Sequence, residues 1–363
     1  MNKKLMTIAV AAVLAPAAAF AENANIEFYG RIHASLDSVS GNGATAGASA
    51  KNTVSLNDNS SRFGLKGKHD MGNGLTGVFQ AEAALDANGK GGAGALPGLR
   101  DTYIGLAGGF GTVLVGKLPA ANQYVYDSNL FADQLGDAAN FTGNSMPGRA
   151  NGALHYVAPK FSDVTVALTY LPASSLESTL GGYAAAPATD KADNSAGFTA
   201  GYAANGITAK LAYFSIGLGN QAAAGYVNGK LQPLSIAGSY DFGNGMVSAQ
   251  FVSIKLTNAG ATNTRNIYNI GGKFNVTETG AIKAQFSKAG TGAAGALDGA
   301  QMFAVGYDHT LSKQMSMYVV YAQTTNDTNG AFVMDNWGHN SQSAGMLKGN
   351  DPKGLGVGLT YNF

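Results

Sequence analysis

The sequence predicts an all-β protein, an antiparallel β-barrel of about sixteen strands that crosses a membrane. Three observations predict it. Segments in which apolar and polar residues alternate recur along the chain. This period of two is that of a strand with one apolar face and one solvated, polar face. The connections between these segments alternate between short and long. Beyond the N-terminal region no apolar run approaches the roughly eighteen residues of a membrane helix, so any crossing must use strands.

The N-terminal residues predict a secretory signal peptide. A basic start, Met1–Lys4, precedes the apolar run Leu5–Phe20, and Ala19-Phe20-Ala21 has the small-residue pattern of a cleavage site. The alternative, a membrane anchor, is disfavoured by that cleavage pattern. We therefore divide the chain into a signal peptide, residues 1–21, and one barrel domain, residues 22–363.

The composition excludes several other classes of protein. The chain has no cysteine, so it has no disulfide framework and no thiolate metal site, and we expect no cofactor. Its formal net charge of +1 supplies no basic field for nucleic acid. The five histidines show no zinc-ligand spacing, and no G-x-S-x-G nucleophile motif is present. We therefore expect no enzyme activity.

The first and last predicted strands show the alternation most clearly. In the first, Ile26–Val39, one face is apolar while the other carries Arg31 and further ionisable residues. Burying Arg31 in a soluble core would be costly, whereas a water-filled lumen keeps it solvated. In the last, Gly354–Phe363, large apolar residues alternate with a row of glycine, threonine and asparagine. Its aromatic end, Tyr361 and Phe363, is typical of the girdle at a membrane boundary.

Fourteen further segments lie between these two. They are Ser61–His69, Phe79–Leu85, Arg100–Ala107, Thr112–Lys117, Asn151–Val157, Val164–Leu171, Ser195–Ala203, Ile207–Ile216, Leu231–Phe242, Met246–Leu256, Arg265–Val276, Ala281–Lys288, Gln301–Leu311 and Met315–Thr324. Short turns such as Gly72-Asn73-Gly74 alternate with long loops such as Ala87–Pro97, and we also predict long loops at Gly217–Lys230 and Thr257–Thr264. This alternation predicts short periplasmic turns on one rim of the barrel and long outer loops on the other.

Several sequence patterns carry a resemblance to a known family. They are Tyr29-Gly30-Arg31, Ser61–Gly67, Phe79–Glu82, Gly111–Lys117 and the terminal Phe363. Together they resemble the general porins of Gram-negative bacteria, of the betaproteobacterial and neisserial type. The resemblance covers essentially the whole chain after the signal peptide. It implies a homotrimer of sixteen-stranded barrels in the outer membrane, in contact with lipid and lipopolysaccharide, and a channel for ions and small hydrophilic solutes.

The resemblance also implies that the third long loop folds into the channel and narrows it. In this chain that loop is Leu118–Gly148, the longest connection, and it carries aspartates, while the inward rows of the strands supply bases. The predicted pore constriction comprises Asp127, Asp133 and Asp137 on the loop and Arg31, Arg62, Lys66, Arg100, Lys117 and Arg149 on the wall. An acidic loop opposite a basic wall creates a transverse field that sorts solutes by charge. The bases outnumber the acids, which favours a mild preference for anions.

Other interpretations stay open. Any single arginine or lysine could simply be a solvated wall residue, and the loop aspartates could cap turns instead of lining the pore. Within transport, the alternative is a substrate-specific porin for small organic acids or sugars. Outside transport, the outer loops could make the protein an adhesin, and an outer-membrane enzyme would need a catalytic Ser–His pair that the sequence does not show.

Overall fold

The computed structural model describes residues 24–42, 53–89, 98–120, 128–142, 148–173, 193–221, 226–293, 295–339 and 347–363. Within this part of the chain almost every residue outside the loops is in a strand. The strands are β1 (Ala24–Asn42), β2 (Thr53–Asp58), β3 (Arg62–Gly72), β4 (Leu75–Ala84), β5 (Leu99–Gly108), β6 (Gly111–Pro119), β7 (Arg149–Val157), β8 (Val164–Leu171), β9 (Ser195–Ala204), β10 (Ile207–Gln221), β11 (Tyr226–Asp241), β12 (Gly245–Asn258), β13 (Ala261–Asn275), β14 (Gly280–Ala289), β15 (Ala300–Thr310), β16 (Met315–Asn326) and β17 (Asp351–Asn362). Among the described residues one short helix, α1 (Ala139–Thr142), lies between β6 and β7.

The strands close into a single antiparallel barrel. Each strand pairs with the next along the chain, and Arg31 of β1 lies opposite Asn362 of β17 on one side and opposite Arg62 of β3 on the other. Strands β2 and β3 both pair with β1, so they are two halves of one barrel strand that is interrupted at residues 59–61. The barrel therefore has sixteen strands, which confirms the predicted fold. Closure leaves no unpaired sheet edge, as a membrane requires.

The two rims differ in the length of their connections. On the short-turn rim, Asn73 and Gly74 join β3 to β4 with φ angles of 52° and 75°, the left-handed pair that a two-residue hairpin turn needs. On the opposite, long-loop rim, the predicted loop Thr257–Thr264 is wrong. Strands β12 and β13 continue to a two-residue turn, because residues at the end of the hairpin still pair and Thr257 Oγ1 lies 3.1 Å from Thr262 Oγ1.

The predicted long loop Gly217–Lys230 is also shorter than expected. Strand β10 continues to Gln221 and β11 begins at Tyr226, so residues 222–225 alone separate them. Gly217 and Lys230, predicted as loop ends, are instead paired across the sheet. The barrel wall is therefore taller at β10 to β13 than the sequence predicted.

The outward face of the barrel is apolar. In β17, Leu355, Val357 and Leu359 are about half exposed, whereas the residues between them are buried. At the short-turn rim, Phe363 exchanges backbone hydrogen bonds of 2.9 and 3.0 Å with Gly30, and its ring lies 5.6 Å from that of Phe28. This aromatic contact closes the seam between the two ends of the sheet. The described residues include no helix long and apolar enough to cross a membrane, a finding that says nothing about crossing by strands.

The buried apolar cluster lies inside the barrel. It joins side chains of the segment between β6 and β7 to the inner wall of the later strands, and its largest fully buried members include Phe131, Leu135 and Phe141. A barrel of this size would otherwise enclose a wide aqueous space. The width of any passage through the barrel is therefore determined by the segments that fill the lumen.

Candidate functional site

The connection between β6 and β7, which we call the third loop, lies inside the barrel. Of its residues 120–148, the two end residues and residues 128–142 are described, and residues 128–142 bind the inner wall through polar contacts. Ser248 Oγ of β12 donates to the carbonyl of Ser128 at 2.9 Å. From β14, Gln285 Oε1 accepts from the Leu130 amide at 2.9 Å, and Lys283 Nζ donates to the Leu130 carbonyl at 3.0 Å. The loop therefore follows the wall instead of crossing the lumen unsupported.

Small residues on that wall form a seat for the loop. Phe131 is fully buried against Gly306 of β15, where an added Cβ would lie 3.1 Å from its ring. Leu135 is buried against Gly356 of β17, where an added Cβ would lie 3.2 Å from its Cδ1. A Cβ at either position would force the Phe131 or Leu135 side chain to shift by a few tenths of an ångström, so glycine favours the close approach of the loop. Glycines of β17 that the sequence pattern placed toward water thus face the third loop.

Asp137 organises the third loop from within. Its carboxylate accepts hydrogen bonds from Asn129 Nδ2 at 2.5 Å, from the Asp133 amide at 2.8 Å and from the Ala139 amide at 2.7 Å. Burial, reinforced by the neighbouring Asp133 carboxylate, raises the pKa of Asp137 to about 7, although these three donors oppose the shift. Because Asp137 is fully buried, it holds the loop together and does not face the channel.

Asp133 extends from the same loop toward the opposite wall. Its Oδ2 lies 3.1 Å from Arg31 Nη1 of β1. Three further arginines on alternate strands surround the same space, a cavity of about 340 Å³ that is lined by Arg31, Arg62, Arg100, Arg149 and Asp133 among others. We call these four arginines the arginine cluster. The structure thus brings five of the predicted constriction residues together.

The arginine cluster contains more guanidinium groups than carboxylates. Arg100 Nε lies 2.5 Å from Glu82 Oε1, and Arg149 Nε lies 2.6 Å from Asp101 Oδ1. Arg62 shares Glu82, but its Nε is 3.9 Å from Oε2. With Asp133 on Arg31, three carboxylates face four guanidinium groups. The cluster therefore has one positive charge in excess, and Arg62 has the weakest ion pair.

A β-bulge directs part of the cluster inward. Ala81 of β4 pairs with Thr102 of β5, but Ala83 pairs with Leu99, so β5 has one residue more than its partner here. Such a bulge changes the face on which the next side chains lie. Strict alternation from the exposed Ile104 would place Arg100 on the lipid side, whereas in the structure Arg100 and its neighbour both form ion pairs inside.

The other predicted constriction residues lie elsewhere or beside the cluster. Lys66 lies four residues along β3 from Arg62, about 13 Å nearer the short-turn rim, and pairs with Glu27 at 3.0 Å. Lys117 is within electrostatic range of Arg149 and so lies beside the cluster. Asp127 lies outside the described residues.

Buried polar residues behind the cluster hold Arg31 in place. Arg31 Nη2 lies 2.8 Å from His33 Nδ1, and His33 Nε2 lies 2.9 Å from Tyr318 Oη. Asn59 Nδ2 donates to the same hydroxyl at 3.0 Å. Since a guanidinium can only donate, His33 Nδ1 accepts, and the imidazole is neutral with its proton on Nε2. The sequence placed His33 on the inward face but offered no sign of this contact.

The connection between β16 and β17, the last loop, also enters the lumen, which the sequence did not predict. Its backbone amides at Asn336 and Trp337 both donate to Asn140 Oδ1 at 2.8 Å, and the ring of Phe332 lies 4.8 Å from that of Phe141. The sequence did carry a signal for this packing: Phe332-Val-Met334 and the single tryptophan of the chain lie within an otherwise polar loop. Such residues need a surface to pack on.

The last loop completes the arginine cavity. Trp337 and Gly338 line it, and Ser60 Oγ, beside Arg62, donates to the Gly338 carbonyl at 3.2 Å. Among the described residues no group of three or more His, Cys, Asp or Glu side chains could hold a metal ion. The site is therefore a charged, loop-narrowed passage.

Comparison with known proteins agrees with this geometry. The family model of the Gram-negative porins matches residues 7–329. The major outer membrane protein P.IB of Neisseria meningitidis serogroup B is 32% identical over 173 residues, which are 47% of this chain and 49% of that protein. The chain thus spans about half the length of the Neisseria relatives that it matches. Outer membrane porin protein 32 of Delftia acidovorans is 27% identical over 100% of both chains.

Solved structures share the fold. The anion-selective porin from Comamonas acidovorans superposes with a TM-score of 0.79 at 21% identity, over 94% of this chain and 100% of that one. OmpT of Vibrio cholerae, solved in a trimer form, superposes with a TM-score of 0.64 at 14% identity, over 94% of this chain and 100% of that one. Since the family model covers most of the sequence and the barrel agrees with it, the chain belongs to the family of Gram-negative porins and lies in the outer membrane.

Proposed function

We propose that this porin is a passive, water-filled diffusion channel for ions and small hydrophilic solutes, and that it prefers anions. The observation that carries the proposal is the arginine cluster, in which four guanidinium groups face three carboxylates in a passage narrowed by two loops. The similar fold of a porin described as anion-selective supports it.

The excess charge acts where the passage is narrowest. At physiological ionic strength an exposed charge is screened beyond about 8 Å, so distant charges of the wall contribute little to selection. We therefore assign the constriction to the arginine cluster together with Asp133, and we place Lys117 beside it. Lys66, about 13 Å away and paired with Glu27, lies outside the constriction, toward the periplasmic entrance.

The other two loop aspartates, Asp137 and Asp127, are treated differently from Asp133. Asp137 is assigned to loop structure, because its carboxylate is fully buried and hydrogen-bonded within the third loop. Asp127 stays a prediction as a constriction residue. The transverse field therefore runs from Asp133 on the loop to the arginines of β1, β3, β5 and β7.

We also infer the assembly and the export route. The family and fold are those of a channel and not of an enzyme. A homotrimer surrounded by outer-membrane lipid and lipopolysaccharide is supported by the trimer form in which OmpT was solved. The basic and apolar N-terminal residues support a signal peptide over residues 1–21 and a mature barrel over residues 22–363.

The test is single-channel recording of the purified protein in a planar bilayer under a potassium chloride gradient. Stepwise openings in groups of three with a reversal potential favouring chloride are expected. A reversal potential favouring potassium would overturn the anion preference but not the channel. Protein that is folded and membrane-inserted but does not conduct would overturn the channel itself and favour the adhesin alternative.

A further inference from the structure

We propose that the arginine cavity is a weak binding site for small aromatic monocarboxylates in transit, with Arg62 contacting the carboxylate and Trp337 the ring. The inference rests on the proposed channel function and names the class of solute that the same constriction favours. It is carried by the lining of the cavity, in which one tryptophan accompanies four arginines.

The charge balance of the cavity favours a monoanion. The three carboxylates on Arg31, Arg100 and Arg149 leave one guanidinium charge without a close partner. That charge is on Arg62, whose Nη1 donates to the Ser60 carbonyl at 3.1 Å and whose Nε is 3.9 Å from the shared carboxylate. One bound carboxylate would neutralise the cluster, and a guanidinium fork matches its geometry.

The position of Trp337 is determined from two sides. Its backbone amide donates to Asn140 Oδ1 of the third loop at 2.8 Å. The following residue, Gly338, accepts from Ser60 Oγ of the wall at 3.2 Å, and Ser60 is two residues from Arg62 in the chain. The last loop thus places Trp337 in the lining of the same cavity as the least compensated guanidinium. Trp337 is the single tryptophan of the sequence, so no other residue can supply an indole.

The size and polarity of the cavity favour a single-ring solute. Its volume of about 340 Å³ is near the lower end of small-molecule sites. A flat ring can stack on the indole and on guanidinium planes, which a saturated ring of equal size does less well. The site is open to the channel, so binding stays weak enough for release, as conduction requires.

The test compares benzoate with cyclohexanecarboxylate, two monoanions of similar size of which benzoate alone is aromatic. Because Trp337 is the single tryptophan, its fluorescence reports binding in the unmodified, detergent-solubilised porin. We expect a saturable change with benzoate, half-complete at a concentration about threefold lower than with cyclohexanecarboxylate. In bilayers benzoate should reduce the chloride current with the same order of potency.

Variants separate the two contacts. Trp337→Leu should make the two acids equally potent blockers of the chloride current, Trp337→Phe should restore the difference, and Arg62→Gln should weaken block by both. Equal potency in the unmodified porin, in fluorescence and in current, would overturn the proposal. So would a preference for benzoate that persists in Trp337→Leu. If the channel lacked chloride preference yet Trp337 responded saturably to benzoate, the anion channel would fail and the binding site would stand.

Discussion

The Nε atom of Arg62 lies 3.9 Å from Glu82 Oε2, which accepts a hydrogen bond from the Tyr29 hydroxyl at 3.1 Å, while Arg100 Nε lies 2.5 Å from the other oxygen of that carboxylate. Arg62 is thus the cluster member whose charge is least compensated. We predict that Arg62→Gln lowers the chloride-to-potassium permeability ratio about threefold, the effect of a unit charge several ångströms away in a water-like dielectric. Reversal potentials in a salt gradient measure it. Lys66→Gln is the matched control, since it removes the same charge outside the cluster; an equal effect in both variants would contradict the assignment.

Substitution of the loop carboxylate should have the opposite sign. Asp133→Asn removes the negative partner of Arg31 and keeps the shape of the side chain. Asparagine also tolerates the left-handed backbone at this position, where φ is 59°. We expect the chloride preference to rise, by about as much as it falls in Arg62→Gln. A fall in the ratio would show that Asp133 acts through loop position and not through its charge.

The contact between Arg31 and His33 gives a third prediction. His33→Phe removes the acceptor for Arg31 Nη2 and the donor to Tyr318 Oη, and it leaves the Tyr318 hydroxyl buried and the Arg31 guanidinium partly buried. We expect a loss of about 1–3 kcal/mol in stability together with a weaker chloride preference. His33→Gln, whose amide can both accept and donate, should restore part of each. Thermal unfolding and reversal potentials provide the readouts, and unchanged selectivity in His33→Phe would exclude a positioning role.

Asp137 predicts a pH dependence of stability. Burial and Asp133 raise its pKa from 3.8 to about 7, so the folded state binds the proton more tightly than the unfolded state does. The resulting stabilisation is complete below the unfolded value and is lost as the pH rises toward 7. The thermal midpoint of the unmodified porin should therefore fall between pH 5 and pH 8, more than that of Asp137→Asn. Equal pH dependence in both proteins would contradict this account.

Weakening the packing of the third loop against the barrel wall should widen the passage. Leu135→Ala leaves a cavity against Gly356 and should cost about 2–4 kcal/mol. Because the leucine anchors the loop and not the barrel wall, single-channel conductance should increase while insertion into the membrane is retained. Leu106→Ala, on the exposed outer face of β5, is the matched control and should leave the conductance unchanged. Reduced conductance in Leu135→Ala would contradict the seat.

Much of the barrel follows from local alternation in the sequence. A period of two places Ile32 and Leu355 outside and Arg31 inside, because each strand is solvated differently on its two faces. What alternation cannot show is where it is interrupted. The bulge before Thr102 turns Arg100 inward, and the hairpin at Thr257–Thr262 extends a wall that its polar composition had marked as loop.

The site was predictable in its charges but not in its contacts. The four arginines and Asp133 could be named from the sequence, whereas the burial of Asp137 depends on a turn that two backbone amides and the Asn129 side chain complete. Likewise Trp337 reaches the cavity because Asn140 of another loop accepts its amide. The first set of contacts is local and the second joins residues far apart in the chain, and neither carries a periodic signal.

The loop seat on β12 to β17 and the arginines on β1 to β7 divide the lumen into two unequal sectors. In the proposed channel, water and solutes travel along one side of the barrel, while the other side serves as an anchoring surface. The width of the passage is therefore not determined by the number of strands. Two proteins with identical barrel strands could differ widely in conductance. Substitutions in the anchoring sector would change permeation although the substituted residues contact no solute. A search for selectivity residues along the barrel axis would miss them.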